Sequence, residues 1–330
     1  MGEPTLLFTR RDVAALLGLD ECIAAVERAF ALHAEGRTLP PGVLGIHAGE
    51  GGFHIKAAGL ELGRRYFAAK TNANFSSNPA RHGLPAIQGV VALFDADTGT
   101  PLALMDSIEI TIIRTGAATA VAAKHLARPD ARVATICGCG TQGRVQLRAL
   151  ARVLPLERAY AFDADPAQAE RFARELSVEL GFEVSPADDL TGAVRRSDVC
   201  VTCTPARRAF LRRADVAPGT FIAAVGADSE DKQELEPELL ASSAVVVDVV
   251  EQCATLGELH HALAAALMTR ADVRAELGEV VAGRKPGRVS RDEVIVFDST
   301  GTALQDVAAA AAVYEKARKV PRGVPWDLAG

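Results

Sequence analysis

Long hydrophobic runs are missing from this 330-residue sequence: no stretch approaches the roughly 18 uninterrupted apolar residues of a membrane-spanning helix. Long runs of one charge are missing too. Lys and Arg number 36 against 42 Asp and Glu, and the net charge of −6 is spread along the chain. That excludes the basic face expected of a nucleic-acid binder and a polybasic membrane patch. The opening, MGEPTLLFTRRDV, lacks the basic-then-apolar order of a secretory leader. Gly2 follows Met1, but Leu6 stands where a myristoylation signal wants Ser or Thr. No internal repeat is visible, and the alanine run at 308–312 is the single low-complexity tract. Six cysteines lie at 22, 137, 139, 200, 203 and 253, with no His or Cys pairs at finger-like spacing beside them. Because the CxC and CxxC clusters fall in apolar, strand-like runs, reduced core thiols of a cytoplasmic protein are expected, and no metal. The alternative would need the thiols to converge on an ion.

What is present is 49% apolar residues and enough length for two domains. The opening reads as two helices, the first capped by Thr9 and the second by Asp20, with Gly36 ending it. Between Leu39 and Leu104, short apolar runs separated by Gly, Pro, Asn and Asp predict an antiparallel sheet, with DADTG at 95–99 as a turn. Ile108–Arg128 reads as one long helix rich in small residues. From Ala131, apolar strand runs alternate with helices, which predicts a parallel sheet covered on both faces. The expected class is therefore α/β, a Rossmann domain joined to an α+β domain. The tail VPRGVPWDLAG shows little periodicity and reads as loose, or as a clamp on a partner.

Gly138, Gly140 and Gly143 form GCGTQG between a strand and a helix, the context that a dinucleotide fingerprint requires. The first glycine permits the tight turn, the second lets backbone approach a pyrophosphate, and the third lets helix and strand pack closely. Thr141 and Gln142 open the helix, whose free amides attract an anion. The alternative is a glycine turn in a domain that binds no nucleotide. Asp163 lies 20 residues beyond Gly143, where a carboxylate accepts from ribose hydroxyls and repels a 2′-phosphate. No Arg follows it directly, so NAD is expected over NADP. Thr204, Gly226 and Asp228 end parallel strands on the crevice side, and Ser299 and Thr300 in DSTGT suit the nicotinamide side.

The segments FAAKTNANF, LPAIQGVVALFDADTG, LMDSIEITIIRTGAATAVAAKHLAR, ICGCGTQG, VGADSEDKQEL and FDSTGTALQD, in this order, resemble the ornithine cyclodeaminase/mu-crystallin family over nearly the whole chain. The resemblance implies a substrate-binding and dimerisation domain over 1–127, to which 307–330 returns, and a Rossmann NAD domain over 128–306. It implies a homodimer acting on a small amino or imino acid. Members include amino acid dehydrogenases, imine reductases, cyclodeaminases that release ammonia using bound NAD, and crystallins that bind nucleotide without turnover. By the same resemblance Lys70 matches the active-site lysine, Arg114 the grip on the substrate α-carboxylate, and Asp228 the acid near the reacting nitrogen. The chemistry of imine reduction asks for such a set: a cationic clamp and a proton donor. The plain alternatives are a surface lysine, a salt-bridged arginine and a helix-capping aspartate. Asn72, Asn74 and His82 fall in matching segments, although His82 reads better as a turn residue. Gln88 and Thr115 are contacts by resemblance only, and His260 and His261 read as structural.

Two departures bear on substrate. Gly42 or Val43 stands where many members carry Arg, and Lys56–Ala57 replaces a Met-Pro pair, with His54 near an acidic position of the ornithine-using branch. By this alignment the pocket has lost a carboxylate for a distal ammonium and gained a lysine. The expectation is that Lys56 contacts a substrate carboxylate and that the substrate carries an additional acidic group, ornithine being a poor one. The alternative is a Lys56 that points outward on an alternating strand.

Overall fold

Alternation of apolar and polar residues along Gly51–Leu62 and Arg64–Asn74 makes two long strands that pair antiparallel, Lys56 opposite Lys70 and His54 opposite Asn72. The computed structural model describes residues 4–328, so the myristoylation question at Gly2 and the last two tail residues lie outside the described residues. The chain divides into two compact units, Met1–Arg114 with Thr302–Gly330, and Thr115–Gly301.

The first unit holds a seven-stranded sheet. Its strands from one edge are Val324–Trp326, Thr5–Phe8, Pro101–Asp106, Ile87–Asp95, Arg64–Asn74, Gly51–Leu62 and Thr38–Ala48. Two helices, Leu19–Ala34 and Ala303–Ala317, pack together and against one face of the sheet. Their buried side chains include Val26, Phe30, Leu304, Val307 and Tyr314. The opening is thus a strand and two helices. Thr9 caps the first helix, but Gly18 rather than Asp20 caps the second: the Glu21 carboxylate accepts from the Gly18 amide at 3.2 Å, which places Asp20 inside the first turn. Thr5–Phe8 is only four residues long, too short for alternation to announce. Part of the tail is ordered: Val324, Pro325 and Trp326 pair antiparallel with Leu7, Leu6 and Thr5. As an edge strand it tolerates a proline that has no N–H to give.

The second unit holds an eight-stranded, all-parallel sheet. The strand Val133–Cys137 lies inside it, third from one edge. On one side follow Arg158–Phe162 and Glu183–Pro186; on the other Val199–Thr202, Phe221–Ala224, Ile295–Asp298, Ala244–Val247 and Ala275–Glu276. Ile295–Asp298, the last strand of this sheet in the sequence, inserts between two earlier ones. The doubly wound order reverses beside Val133–Cys137, which sets a crevice at the carboxyl ends of the strands. All six cysteines are free and five are buried. Among the described residues no group of His, Cys, Asp or Glu is arranged to hold a metal, and no helix is long and apolar enough to cross a membrane.

Candidate functional site

A single aspartate organises the site of the first unit. Ala303–Ala317 is an alanine-rich helix capped by Thr302, whose hydroxyl accepts from the Leu304 amide. Asp306 sits near its start at 1% exposure, where a carboxylate also suits the helix dipole. Lys70 Nζ lies 2.8 Å from Asp306 Oδ2, and Arg114 Nε lies 3.1 Å from Oδ1. Arg114 Nη1 donates to Gln305 Oε1 at 2.7 Å. Lys56 stands directly across the strand pair from Lys70, on the same face of the sheet, and is buried as well.

These placements bear on the plain alternatives. Lys70 and Lys56 are buried, not surface lysines. Arg114 is salt-bridged, but to a carboxylate that it shares with Lys70. Burial pushes the Lys70 ammonium down to about 7; Asp306 opposes this, while the charges of Arg114 and Lys56 add to it. Burial would raise the Asp306 carboxyl, but the neighbouring Lys70 and Arg114 charges outweigh it and hold the acid below its ordinary range. The outcome is a buried group of three basic side chains around one firmly ionised carboxylate. Such a group favours an incoming anion, and an anion beside Lys70 would draw a proton onto it.

His54 and Asn72 occupy the next positions on that face. Asn72 Oδ1 accepts from the Ser107 hydroxyl at 2.6 Å. Gly89, opposite Asn72, has no room for a side chain: a Cβ there would lie 2.3 Å from Asn72 Oδ1. His82 and Gln88 are exposed, His82 in a short helix that ends at Gly83. Asp306 and Gln305 carried no role in the sequence reading. The signal was there, since a carboxylate in a helix of alanines that is buried all round must find a buried cation.

The second unit gathers the predicted cofactor residues at the ends of its strands. Gly138 has φ of 99°, and a Cβ on it would lie 2.9 Å from the Cys203 carbonyl oxygen. A Cβ on Gly143 would lie 2.0 Å from the Gly138 carbonyl oxygen, so the helix start sits against the turn. At Gly140, which caps the helix Thr141–Val153, a Cβ would meet nothing within 4 Å. That open space beside unpaired helix amides is what a pyrophosphate needs. Asp163 Oδ2 accepts from the Cys139 amide at 2.7 Å, which holds its carboxylate beside the glycine turn. Thr204 and Gly226 lie in the loops after adjacent strands. Ser299 and Thr300 are buried, and the Thr300 hydroxyl is engaged by Asp248 and Gln252. Asp228 is exposed, 2.6 Å from Lys232 Nζ. It caps no helix, for the next one is Pro237–Ala241 with Glu236 at its cap.

Known proteins resemble the chain over nearly its whole length. The chain is 40% identical to an alanine dehydrogenase of Archaeoglobus fulgidus over 95% of each chain. A solved archaeal alanine dehydrogenase, a dimer with bound NAD, superposes with a TM-score of 0.94 at 38% identity, covering 98% of this chain and 99% of that one. The iminosuccinate reductase of Paracoccus denitrificans in complex with NAD+ superposes at 0.91 and 32% identity, covering 98% and 100%. The profile of the Ornithine cyclodeaminase/mu-crystallin family matches residues 3–320, and the chain belongs to that family.

Proposed function

We propose that this protein is an NAD-dependent oxidoreductase that interconverts a small amino acid and its imine. The observation that carries the reading is the buried Lys70–Asp306–Arg114 group with Lys56 beside it. Supporting it are a glycine turn shaped for a pyrophosphate and relatives that are alanine dehydrogenases, iminosuccinate reductases and pyrroline-2-carboxylate reductases.

The residues take the following roles. Arg114 and Lys70 hold the α-carboxylate, and Asp306 orients both. Asp228 holds or gives the proton at the substrate nitrogen. Gly138, Gly140, Thr141, Gln142 and Gly143 hold the pyrophosphate, and Asp163 the adenosine ribose. Thr204, Gly226, Ser299 and Thr300 shape the nicotinamide end. NAD, when bound, supplies or accepts the hydride at the α-carbon. We assign substrate binding and dimerisation to the unit Met1–Arg114 with Thr302–Gly330, and NAD binding to Thr115–Gly301, in place of the expected boundaries at 127/128 and 306/307.

The chemistry around Lys56 points to a substrate with a second carboxylate. A second carboxylate would find a cation in Lys56, which shares the buried sheet face of Lys70, and alanine has none to offer it. His54 and Asn72 would flank that second group. A distal ammonium, which a cyclodeaminase must hold, meets Lys56 on this face and is repelled. The test is a screen of keto acids with ammonia or amines plus NADH, and of amino acids plus NAD, following absorbance and ammonia together. Sustained NADH turnover is expected, fastest with a dicarboxylic imine. Lys56→Met should then lower kcat/KM for the dicarboxylate about tenfold or more beyond any change for a monocarboxylate. Ammonia release without net NADH change would replace the reading with the lyase. Binding without any turnover would leave a crystallin-type protein. Unchanged affinity of K56M for every active substrate would remove the role of Lys56.

The same sheet supports a homodimer. Its face away from the two helices exposes Leu44, Ile46, Phe53, Val90 and Leu104 on adjacent strands, each at least 39% accessible. A contiguous apolar face of this kind marks an association surface, and the archaeal alanine dehydrogenase is a dimer. Sedimentation equilibrium should find two chains per particle. Leu104→Asp, which places a charge mid-face, should release single chains; a wild-type protein that is monomeric at micromolar concentration would exclude the dimer. The free thiols fit a reducing compartment, and we place the protein in the cytoplasm.

A further inference from the structure

The roles above leave the buried acids of the second unit unused. Glu234, in the short strand Gln233–Leu235, has no exposed surface. Its Oε1 accepts from the backbone amide of Thr204 at 2.6 Å and from the Thr204 hydroxyl at 2.7 Å. Its Oε2 accepts from the Gly226 amide at 2.9 Å. One carboxylate therefore ties together the loops that follow Val199–Thr202 and Phe221–Ala224, two neighbouring strands. The approach is close enough that a Cβ on Gly226 would lie 2.5 Å from Glu234 Oε1.

Glu234 is itself held in place. Glu258 accepts from the amides of Glu234 and Leu235 at 2.7 and 3.2 Å. Asp298 accepts from the amides of Glu258 and Leu259 at 3.1 and 2.9 Å. Burying an acid among neutral donors is costly, so a plain packing role would be filled more cheaply by an apolar side chain or a neutral acceptor. What the carboxylate offers is two acceptor oxygens on one rigid group. Glutamine has the same shape but a single acceptor oxygen, and its NH2 would face an N–H on one of the two loops.

We propose that Glu234 is a positioning residue for hydride transfer: it clamps Thr204 to Gly226 and so fixes the turn that presents Asp228. The Asp228 amide donates to the Gly226 carbonyl oxygen at 3.1 Å, so the clamp reaches the catalytic turn through two residues. This inference rests on the dinucleotide reading and on the role given to Asp228.

The experiment compares wild type, Glu234→Gln and Thr204→Val by NADH fluorescence titration, steady-state kinetics and thermal melting. In E234Q, a lost loop contact should weaken NADH binding about tenfold. A displaced Asp228 turn should lower kcat about a hundredfold. KM for the amino or imino acid should stay within about twofold, because a different set of side chains grips the carboxylate. T204V removes one donor to the same oxygen, so it should show a smaller loss of the same pattern, and the double variant should lose less than the sum. A merely structural glutamate predicts another result: a lower melting temperature with kcat and NADH affinity unchanged in the folded protein. That result overturns the proposal. If E234Q does not fold, T204V decides, and wild-type kcat and NADH affinity in T204V overturn it equally. Failure of the wild type to bind NADH would instead remove the dinucleotide reading, and this inference with it.

Discussion

Arg114→Met will lower kcat/KM about a thousandfold and move the acid–base limb of its pH profile upward. The first effect follows from what the guanidinium does. Its Nε lies against Asp306 and its Nη1 donates to Gln305, which fixes the plane and leaves the remaining donors for a substrate carboxylate. Losing a buried charged grip on the substrate carboxylate costs about 2–5 kcal/mol, and a thousandfold corresponds to about 4. Methionine fills the volume without the charge, so circular dichroism should show the fold retained.

The second effect has a definite sign. Lys70 stands at about 7 because burial and the Arg114 and Lys56 charges outweigh the Asp306 carboxylate. Removing Arg114 removes one downward push and leaves the carboxylate in place, so the Lys70 value rises above 7. The corresponding limb of log kcat/KM against pH, which reports groups in the free enzyme, should shift to higher pH. Activity within about threefold of wild type would show that Arg114 does not clamp the substrate. A limb that stays put or falls would show that the two cations do not share one field.

How much of this was legible beforehand differs between elements. The sheet alternation of 39–104, the DADTG turn and the βα repeats from Val133 were readable because their signals are local: period-two alternation, turn residues and apolar runs of strand length. The glycine turn was readable because each of its glycines answers to a separate steric demand. What stayed hidden is non-local. The pairing of Val324–Trp326 with Thr5–Leu7 joins opposite ends of the chain, and the insertion of Ile295–Asp298 between earlier strands leaves no periodic trace. Lys70 and Arg114 were found by resemblance to the family. Asp306, their shared partner, lay in a quoted segment with no role assigned, since neither helical spacing nor strand alternation links residues 192 positions apart in sequence (306 against 114). Burial would have betrayed it: an aspartate within LQDVAAAAAV has an apolar neighbour on every side of its helix. Glu234 was hidden for the same reason, as QEL reads equally well as a surface strand.

Asp228→Asn will lower kcat by about three orders of magnitude, within the usual range for a positioned acid or base, and will leave NADH affinity unchanged. The side chain is exposed beyond the strand Phe221–Ala224, so its replacement opens no cavity and strands no buried charge. Its partner Lys232, 2.6 Å away, is four residues on, and a pair this accessible adds little to stability. A large kinetic loss therefore cannot be charged to unfolding. Asparagine keeps the size and the hydrogen-bonding reach but cannot exchange a proton, so the loss should appear in kcat with KM nearly constant, the pattern of an interaction made only in the transition state. If D228N keeps more than about a tenth of wild-type kcat, proton transfer at the substrate nitrogen belongs to another group. Lys70 would be the first to examine, because its pKa of about 7 is suited to exchange at neutral pH.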